Sequence, residues 1–279
     1  MTGSALVLGA GGVTGVAWET GVLAGLSEGG LELADAGLII GTSAGAAVAA
    51  QVAGGTPLAM LLARQLEATS PERAARLSGW TLARYVLAML TERDPKRFGA
   101  SIGRLALGAK TLDEAARREV IAARLPTHAW PERALQLTAV NARTGAFRVF
   151  ERSSGVPLVD AVAASCAVPG VWPPVTLEGE KWIDGGMRSA ANAHLAAGRA
   201  RVIILAPIVV GLGPMTPVAA QARALREGGA KVLVISPDAQ ARRRMGRNTL
   251  DPSKRRASAE EGRRQAAQVL GEAAAVWRA

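Results

Sequence analysis

The sequence predicts a single three-layer α/β domain with a largely parallel central sheet, on three observations. Short apolar runs alternate with helical segments along the chain. The first two runs end in glycine turns that open helices. No internal repeat, low-complexity linker or long structureless stretch divides the 279 residues, so one domain over 1–279 is expected.

Residues 5–8 (Ala-Leu-Val-Leu) read as a buried parallel strand feeding the glycine-rich turn at 9–15. Val16, Val22, Leu23 and Leu26 then recur at helical spacing, and Gly29-Gly30 stops that helix. Residues 38–40 are a second buried strand, running through Gly41-Thr42-Ser43-Ala44-Gly45 into an alanine-rich helix. From 57 to 125 leucine and arginine alternate at three- and four-residue spacing, which predicts a helical insertion without strands. Residues 135–140 and 146–150 read as a hairpin around 141–145. A helix over Leu158–Ser165 ends before Pro169, and Pro173-Pro174 makes an extended turn. Lys181-Trp182-Ile183 forms a strand that ends at Asp184-Gly185-Gly186. Strands at 202–205 and 232–235 and a basic helix at about 255–277 close the chain.

An apolar fraction of 49% against 20% charged residues supports a packed core rather than a disordered chain. The net charge of +10 gathers at 64–118 and 242–264. It reads as a solvated arginine-rich surface or one that meets anionic membrane. The basic runs at 242–244 and 254–256 carry no interleaved aromatics, so no nucleic-acid partner is expected. Cys166 is the only cysteine, which excludes an internal disulfide and favours a reducing compartment. With no basic region ahead of an apolar stretch at the N-terminus, the expected location is cytoplasmic, with peripheral membrane association as an extension. Two uncharged stretches, 36–63 and 202–220, are long enough to span a bilayer. Glycines and prolines interrupt both, so buried strand, turn and helix is the better reading.

The G-x-S-x-G run at 41–45, between strand and helix, is a candidate nucleophile elbow. The turn must be tight to stand Ser43 clear of the backbone, and Gly41 and Gly45 remove the clashes. The plainer reading is an N-cap serine in a glycine turn. The earlier turn, Gly9-Ala10-Gly11-Gly12-Val13-Thr14-Gly15, admits three readings. A nucleotide-binding turn would use its backbone on a pyrophosphate, with Asp35 as ribose ligand, but Thr14 occupies the last glycine slot of G-x-G-x-x-G. An oxyanion hole would use the Gly11 and Gly12 N–H groups. Close helix–strand packing needs no ligand. Adjacent parallel strands would bring both turns to one sheet edge, which favours the oxyanion reading.

Ser43 needs a base. His128 lies between Pro126 and Pro131 and reads as a loop residue, and His194 falls in a run that reads as a helix. Asp184, ending a strand ahead of Gly185 and Gly186, is the better candidate, although Asp-Gly is also an ordinary turn. Cys166 has no basic neighbour in sequence and reads as a buried structural thiol.

Taken in order, the glycine turn, GTSAG at 41–45, ASCAVPGVWPPV at 164–175 and DGG at 184–186 resemble the patatin-like phospholipase family over roughly 5–195. The resemblance implies a Ser–Asp dyad without histidine, Ser43 as nucleophile and Asp184 as base. The resemblance also places Gly11 and Gly12 in the oxyanion hole and implies acyl-ester hydrolysis without metal or cofactor. Asn192, Ser165 and Pro169 fall in matching stretches. The first motif departs from the family: Ala10 replaces a glycine and Thr14 a basic residue, so a lysolipid or neutral ester is as plausible a substrate as a phospholipid. Two other functions stay open, a silent membrane-associated binding protein on the same fold and a nucleotide module using 9–15. Within 57–125, Trp80 and Tyr85 among arginines suit either an ordinary helix pair or an amphipathic lid.

Overall fold

The computed structural model describes residues 1–67, 74–211 and 213–278. The chain opens with strand β1 (Ser4–Leu8), helix α1 (Gly12–Glu28), strand β2 (Leu38–Gly41) and helix α2 (Ala44–Ala53). Helices α3 (Leu58–Leu66), α4 (Gly79–Thr91), α5 (Pro95–Gly108) and α6 (Glu114–Arg124) follow. The region expected to be helical over 57–125 is so in its described part; residues 68–73 lie outside the described residues. Local caps start three of these helices. The Ser78, Asp94 and Asp113 side chains accept first-turn N–H groups, and Pro95 sits where no N–H is needed.

Strands β3 (Leu135–Asn141) and β4 (Phe147–Phe150) form the expected hairpin, followed by helix α7 (Leu158–Ser165). Strands β5 (Val175–Leu177) and β6 (Glu180–Asp184) make a second hairpin that turns through left-handed Glu178 and Gly179. Strand β7 (Arg201–Leu205), helix α8 (Val218–Glu227), strand β8 (Lys231–Ile235), helix α9 (Ala239–Met245) and helix α10 (Arg255–Trp277) complete the chain. Helices α8 and α9 are absent from the sequence reading, and three further details differ from it. Helix α1 begins at Gly12, ahead of the first apolar position. Val175–Leu177 is a strand, and the segment around His194 is only a four-residue 3₁₀ turn, Ala193–Ala196.

The strands hydrogen-bond in the order β5-β6-β3-β2-β1-β7-β8, with β4 also on β3. The five strands β3-β2-β1-β7-β8 are parallel. Leu137 pairs with both Gly41 and Phe150, and Ala139 with both Arg148 and Asp184. Strand β4 therefore lines one edge of β3, while β2 and β6 share the other, with β6 meeting β3 just past the end of β2. This register delivers Asp184 to the carboxyl end of β2.

Alternating strand residues build two apolar layers. Leu6, Leu8, Ile39, Ile203 and Leu205 face a core with Trp18, Val22, Ala47 and Val159 from α1, α2 and α7. Val7, Ile40, Val202 and Ile204 face Val218, Ala222 and Leu225 of α8 on the other side. This gives the three layers expected of alternating strands and helices. The basic helix α10 packs along α1 rather than standing on the surface. A side chain at Gly21 would come within 2.1 Å of the Ala259 carbonyl, and one at Gly262 within 2.2 Å of the Trp18 carbonyl, so these glycines set the close approach.

Candidate active site

Strand β2 passes into α2 through Thr42 and Ser43. Ser43 holds φ 55° and ψ −117°, a left-handed conformation that costs a non-glycine residue about 1–3 kcal/mol. The surroundings enforce it. A Cβ at Gly45 would sit 2.1 Å from the Leu8 carbonyl oxygen, and one at Gly41 2.6 Å from the Ala46 Cα, so both flanking positions exclude larger residues. The Gly45 N–H donates to the Gly9 carbonyl at 2.9 Å, tying the serine turn to the first glycine turn. The Ser43 N–H donates to Ser165 Oγ at 3.0 Å, and the Cys166 thiol donates to the Ser43 carbonyl, also at 3.0 Å. Ser43 is 5% exposed and starts α2, whose first-turn N–H groups carry partial positive charge.

The Asp184 carboxyl reaches this turn from the end of β6. It accepts the Ser43 hydroxyl and, at 2.7 Å, the Gly186 N–H. Gly185 lets the chain pass Thr138, where a Cβ would meet the Thr138 hydroxyl at 2.2 Å. Asp184 is 2% exposed. Burial pushes its carboxyl up to about 7, and the two hydrogen bonds only partly oppose that rise. A buried Asn192 fastens the turn. Its amide donates to the Gly185 carbonyl at 3.2 Å and the Ser189 carbonyl at 3.0 Å. Its nitrogen also lies 3.1 Å from Thr42 Oγ1, which contacts Thr138 Oγ1 at 2.9 Å. Tyr85 of α4 closes the far side: its hydroxyl donates to the Pro169 carbonyl at 3.2 Å. Burial, reinforced by the nearby Asp184 charge, keeps that phenol protonated.

The Leu8↔Gly41 pairing puts the first glycine turn at the same sheet edge. Gly12 opens α1 at φ +60°, and a Cβ there would meet the Thr249 carbonyl at 2.6 Å. Gly11 is extended, but a Cβ would meet Pro207 at 2.5 Å. Bare backbone is thus required at both positions. Thr14 is fully buried, and its N–H donates to the Thr249 carbonyl at 3.1 Å. Beneath the turn lies Glu19, also fully buried, whose Oε1 accepts the Gly9 N–H at 2.8 Å. Burial raises its carboxyl well above the usual range.

A cavity of about 270 Å³ opens beside Ser43 and Gly12. Val13, Val16, Ala44, Ala47, Val168 and Leu250 supply its apolar wall. Arg64, Arg117, Arg124 and Arg255 supply four cations, against one carboxylate, Glu67, among the described lining residues. The Arg117 guanidinium stacks 3.8 Å from the centre of the Trp172 ring, and the Arg255 guanidinium donates to the Glu67 carbonyl at 2.8 Å.

Residues 6–197 match the family model of the patatin-like phospholipases. The chain belongs to that family. The matched segment carries the first glycine turn, the serine elbow and the DGG turn. Two solved structures are similar to the patatin-like chain at low identity. VipD from Legionella pneumophila is 14% identical with a TM-score of 0.47, covering 97% of this chain and 67% of that one. The type III effector protein ExoU is 17% identical with a TM-score of 0.46, covering 98% of this chain, which spans about half (53%) of ExoU. No curated protein sequence matches the chain significantly.

The two histidines of this patatin-like chain have partners other than Ser43 and Asp184. His194 lies against Phe147, with ring centres 5.7 Å apart. Burial, with Arg188 nearby, lowers its pKa, and Gln221 is its side-chain partner. His128 Nε2 lies 3.0 Å from the Ala122 carbonyl on the surface. The nucleotide reading also loses its ligand: Asp35 is exposed and pairs with Arg133 at 3.1 Å. Among the described residues no group of three or more His, Cys, Asp or Glu could share a metal ion, and no helix is long and apolar enough to cross a membrane. Sequence reasoning missed Glu19, Thr138 and the cavity arginines. Glu19 carried a signal as the one acid in an otherwise uncharged run over 1–27, and Arg64, Arg117 and Arg255 lie in the basic clusters at 64–118 and 242–264.

Proposed function

We propose that the protein hydrolyses acyl esters of lipids through a Ser43–Asp184 dyad, and that its substrate carries a phosphate or other anionic group near the scissile ester. The observation that supports this best is the contact of the Ser43 hydroxyl, on a strained elbow at a helix N-terminus, with a buried carboxyl raised to about 7. A carboxylate at its ordinary pKa is a poor base at neutral pH. One raised towards neutrality has both an ionised fraction and a driving force to take a proton.

In this reading Asp184 accepts the proton of Ser43 as Ser43 Oγ attacks the ester carbonyl carbon. The carbonyl oxygen takes up the electron pair and is held by the Gly11 and Gly12 N–H groups, each worth about 3–4 kcal/mol at comparable sites. The intermediate collapses, the C–O bond to the alcohol breaks, and the alcohol leaves with the proton from Asp184. Water then attacks the acyl-serine, giving its proton to Asp184. Release of the free fatty acid returns that proton to Ser43. Ser165 and Cys166, bonded to the Ser43 backbone, hold the elbow in place.

The arginines lining the cavity bear on the substrate. Thr14 takes the family's basic position, and it is uncharged and fully buried. Arg64 brings positive charge to the cavity from α3, next to an apolar wall suited to an acyl chain, while Arg117, Arg124 and Arg255 line the same cavity with partners of their own. The test is fatty-acid release from a phosphate-bearing acyl glycerol and from its neutral counterpart. The expected result is faster release from the former, with Ser43→Ala and Asp184→Asn both inactive. Substantial turnover by Asp184→Asn contradicts the dyad; equal turnover of the two lipids contradicts the anionic preference.

A further inference from the structure

Helix α4 is amphipathic in an unusual sense: its inner face contacts the site and its outer face is apolar and exposed. Thr81, Tyr85 and Ala88 are buried. Tyr85 donates to the Pro169 carbonyl, and the Thr81 methyl lies where a side chain at Gly170 would stand. The opposite arc holds Trp80 (72% exposed), Leu82, Val86, Leu87 and Leu90 (76% exposed). At 3.6 residues per turn these and Ala83 span roughly 160° of the helix with no acidic residue among them. Of the eleven exposed large apolar side chains described, six lie between Leu77 and Leu90, so the exposure is a patch and not a scatter.

Charge frames this patch. Residues 74–97 contain five cations, Arg76, Arg84, Arg93, Lys96 and Arg97, against Glu92 and Asp94. The Arg84 guanidinium lies 5.8 Å from the centre of the Trp80 ring, at the edge of the apolar arc. The loop after β7 meets α4, where a side chain at Gly213 would touch Met89 at 3.0 Å, and that loop exposes Val209 and Val210. A convex apolar helix with a tryptophan and a cationic border matches a bilayer surface. The apolar side chains enter the acyl boundary while the guanidinium groups meet phosphate.

We propose that the outer face of α4 docks the protein on an anionic lipid bilayer, setting the Ser43 cavity at the membrane surface. Because docking is a binding property, it is testable apart from turnover. The experiment is co-flotation of the full-length Ser43→Ala protein with vesicles of phosphatidylcholine alone or mixed with phosphatidylglycerol. Each basic residue near an anionic surface is worth roughly fivefold in partition, so the mixed vesicles are expected to bind at least about tenfold more protein, and added salt to weaken binding. In the same background, Leu87→Glu with Leu90→Glu is expected to cut binding by about tenfold or more. Leu90→Ser, at the most exposed position, is the milder companion, and thermal melting confirms that each variant is folded. In an otherwise wild-type chain these substitutions leave hydrolysis of a soluble short-chain ester unchanged.

Undiminished binding by the folded variants, equal binding to neutral vesicles, or no binding overturns the proposal. So does sedimentation showing a dimer that the same substitutions dissolve, because the face then covers a second copy of the chain. Failure of the hydrolase reading would show separately, as no soluble-ester turnover by the wild-type chain.

Discussion

Replacing Asp184 by asparagine separates the cost of a buried base from its use. The amide keeps an oxygen to accept the Gly186 N–H, so the turn has no reason to rearrange. Only the ionisation is lost. The Asp184 carboxyl lies at about 7 in the folded protein against an ordinary 3.8. Because the folded value is the higher one, the folded state binds the extra proton between those limits. The group's stabilising contribution is complete below about pH 4 and is lost as pH rises through 7. Three pH units at about 1.4 kcal/mol each make that loss about 4 kcal/mol. The assay is urea unfolding of wild type and Asp184→Asn at intervals from pH 4 to pH 9. Other titrating groups, Glu19 among them, are common to both chains and cancel in the difference. The variant should gain on the wild type by about 4 kcal/mol over that range while losing activity. Parallel stability curves would refute the reasoning, because the carboxyl would then not be held protonated by burial.

Other outcomes follow from the same geometry. The kcat/KM of the wild type should rise with pH and level off above about 7, since the base acts when ionised; a profile falling across neutrality would speak for an acid in its place. Gly45→Ala, whose Cβ would stand 2.1 Å from the Leu8 carbonyl, should cost about 3 kcal/mol or more in thermal or urea unfolding, and a melting temperature near wild type would contradict the packing of the elbow. Asn192→Ala strands the Gly185 and Ser189 carbonyls and should destabilise the fold by about 2–4 kcal/mol, measured the same way; a neutral effect would mean that the network carries little. Arg64→Gln should raise KM for a phosphate-bearing ester about tenfold and leave a neutral ester unaffected, and a matched rise for both would point to lost packing instead of lost charge.

What could be read from the sequence was what is locally determined. GTSAG between an apolar run and an alanine-rich run has few foldings, and the elbow lies where that context places it. Strands 5–8 and 38–40 are adjacent and parallel, so both glycine turns share an edge. From the residues alone Asp184 was visible as the end of a strand ahead of Gly185-Gly186, and its role as base came from the family resemblance. Its approach to Ser43 depends on the Ala139↔Asp184 pairing, a register between residues 45 positions apart that no local pattern encodes. Val175–Leu177 was hidden behind Pro173-Pro174 because a three-residue strand is shorter than the alternation that announces one. The basic helix 255–277 looked like surface, yet Ser258, Ala259, Gly262 and Ala266 bury a small-residue stripe against α1. The cavity's arginines come from α3, α6 and α10, far apart in sequence, so no local pattern announced that they line one cavity.

The central claim is that Ser43 is an activated nucleophile, and covalent labelling tests it most directly. Purified protein is incubated with a fluorophosphonate probe, with vesicles or detergent present, and the adduct is located by peptide mass spectrometry. The account predicts labelling at Ser43 that disappears in Ser43→Ala and is lost or strongly slowed in Asp184→Asn. A folded protein that takes no label, or one labelled equally well without Asp184, would contradict it.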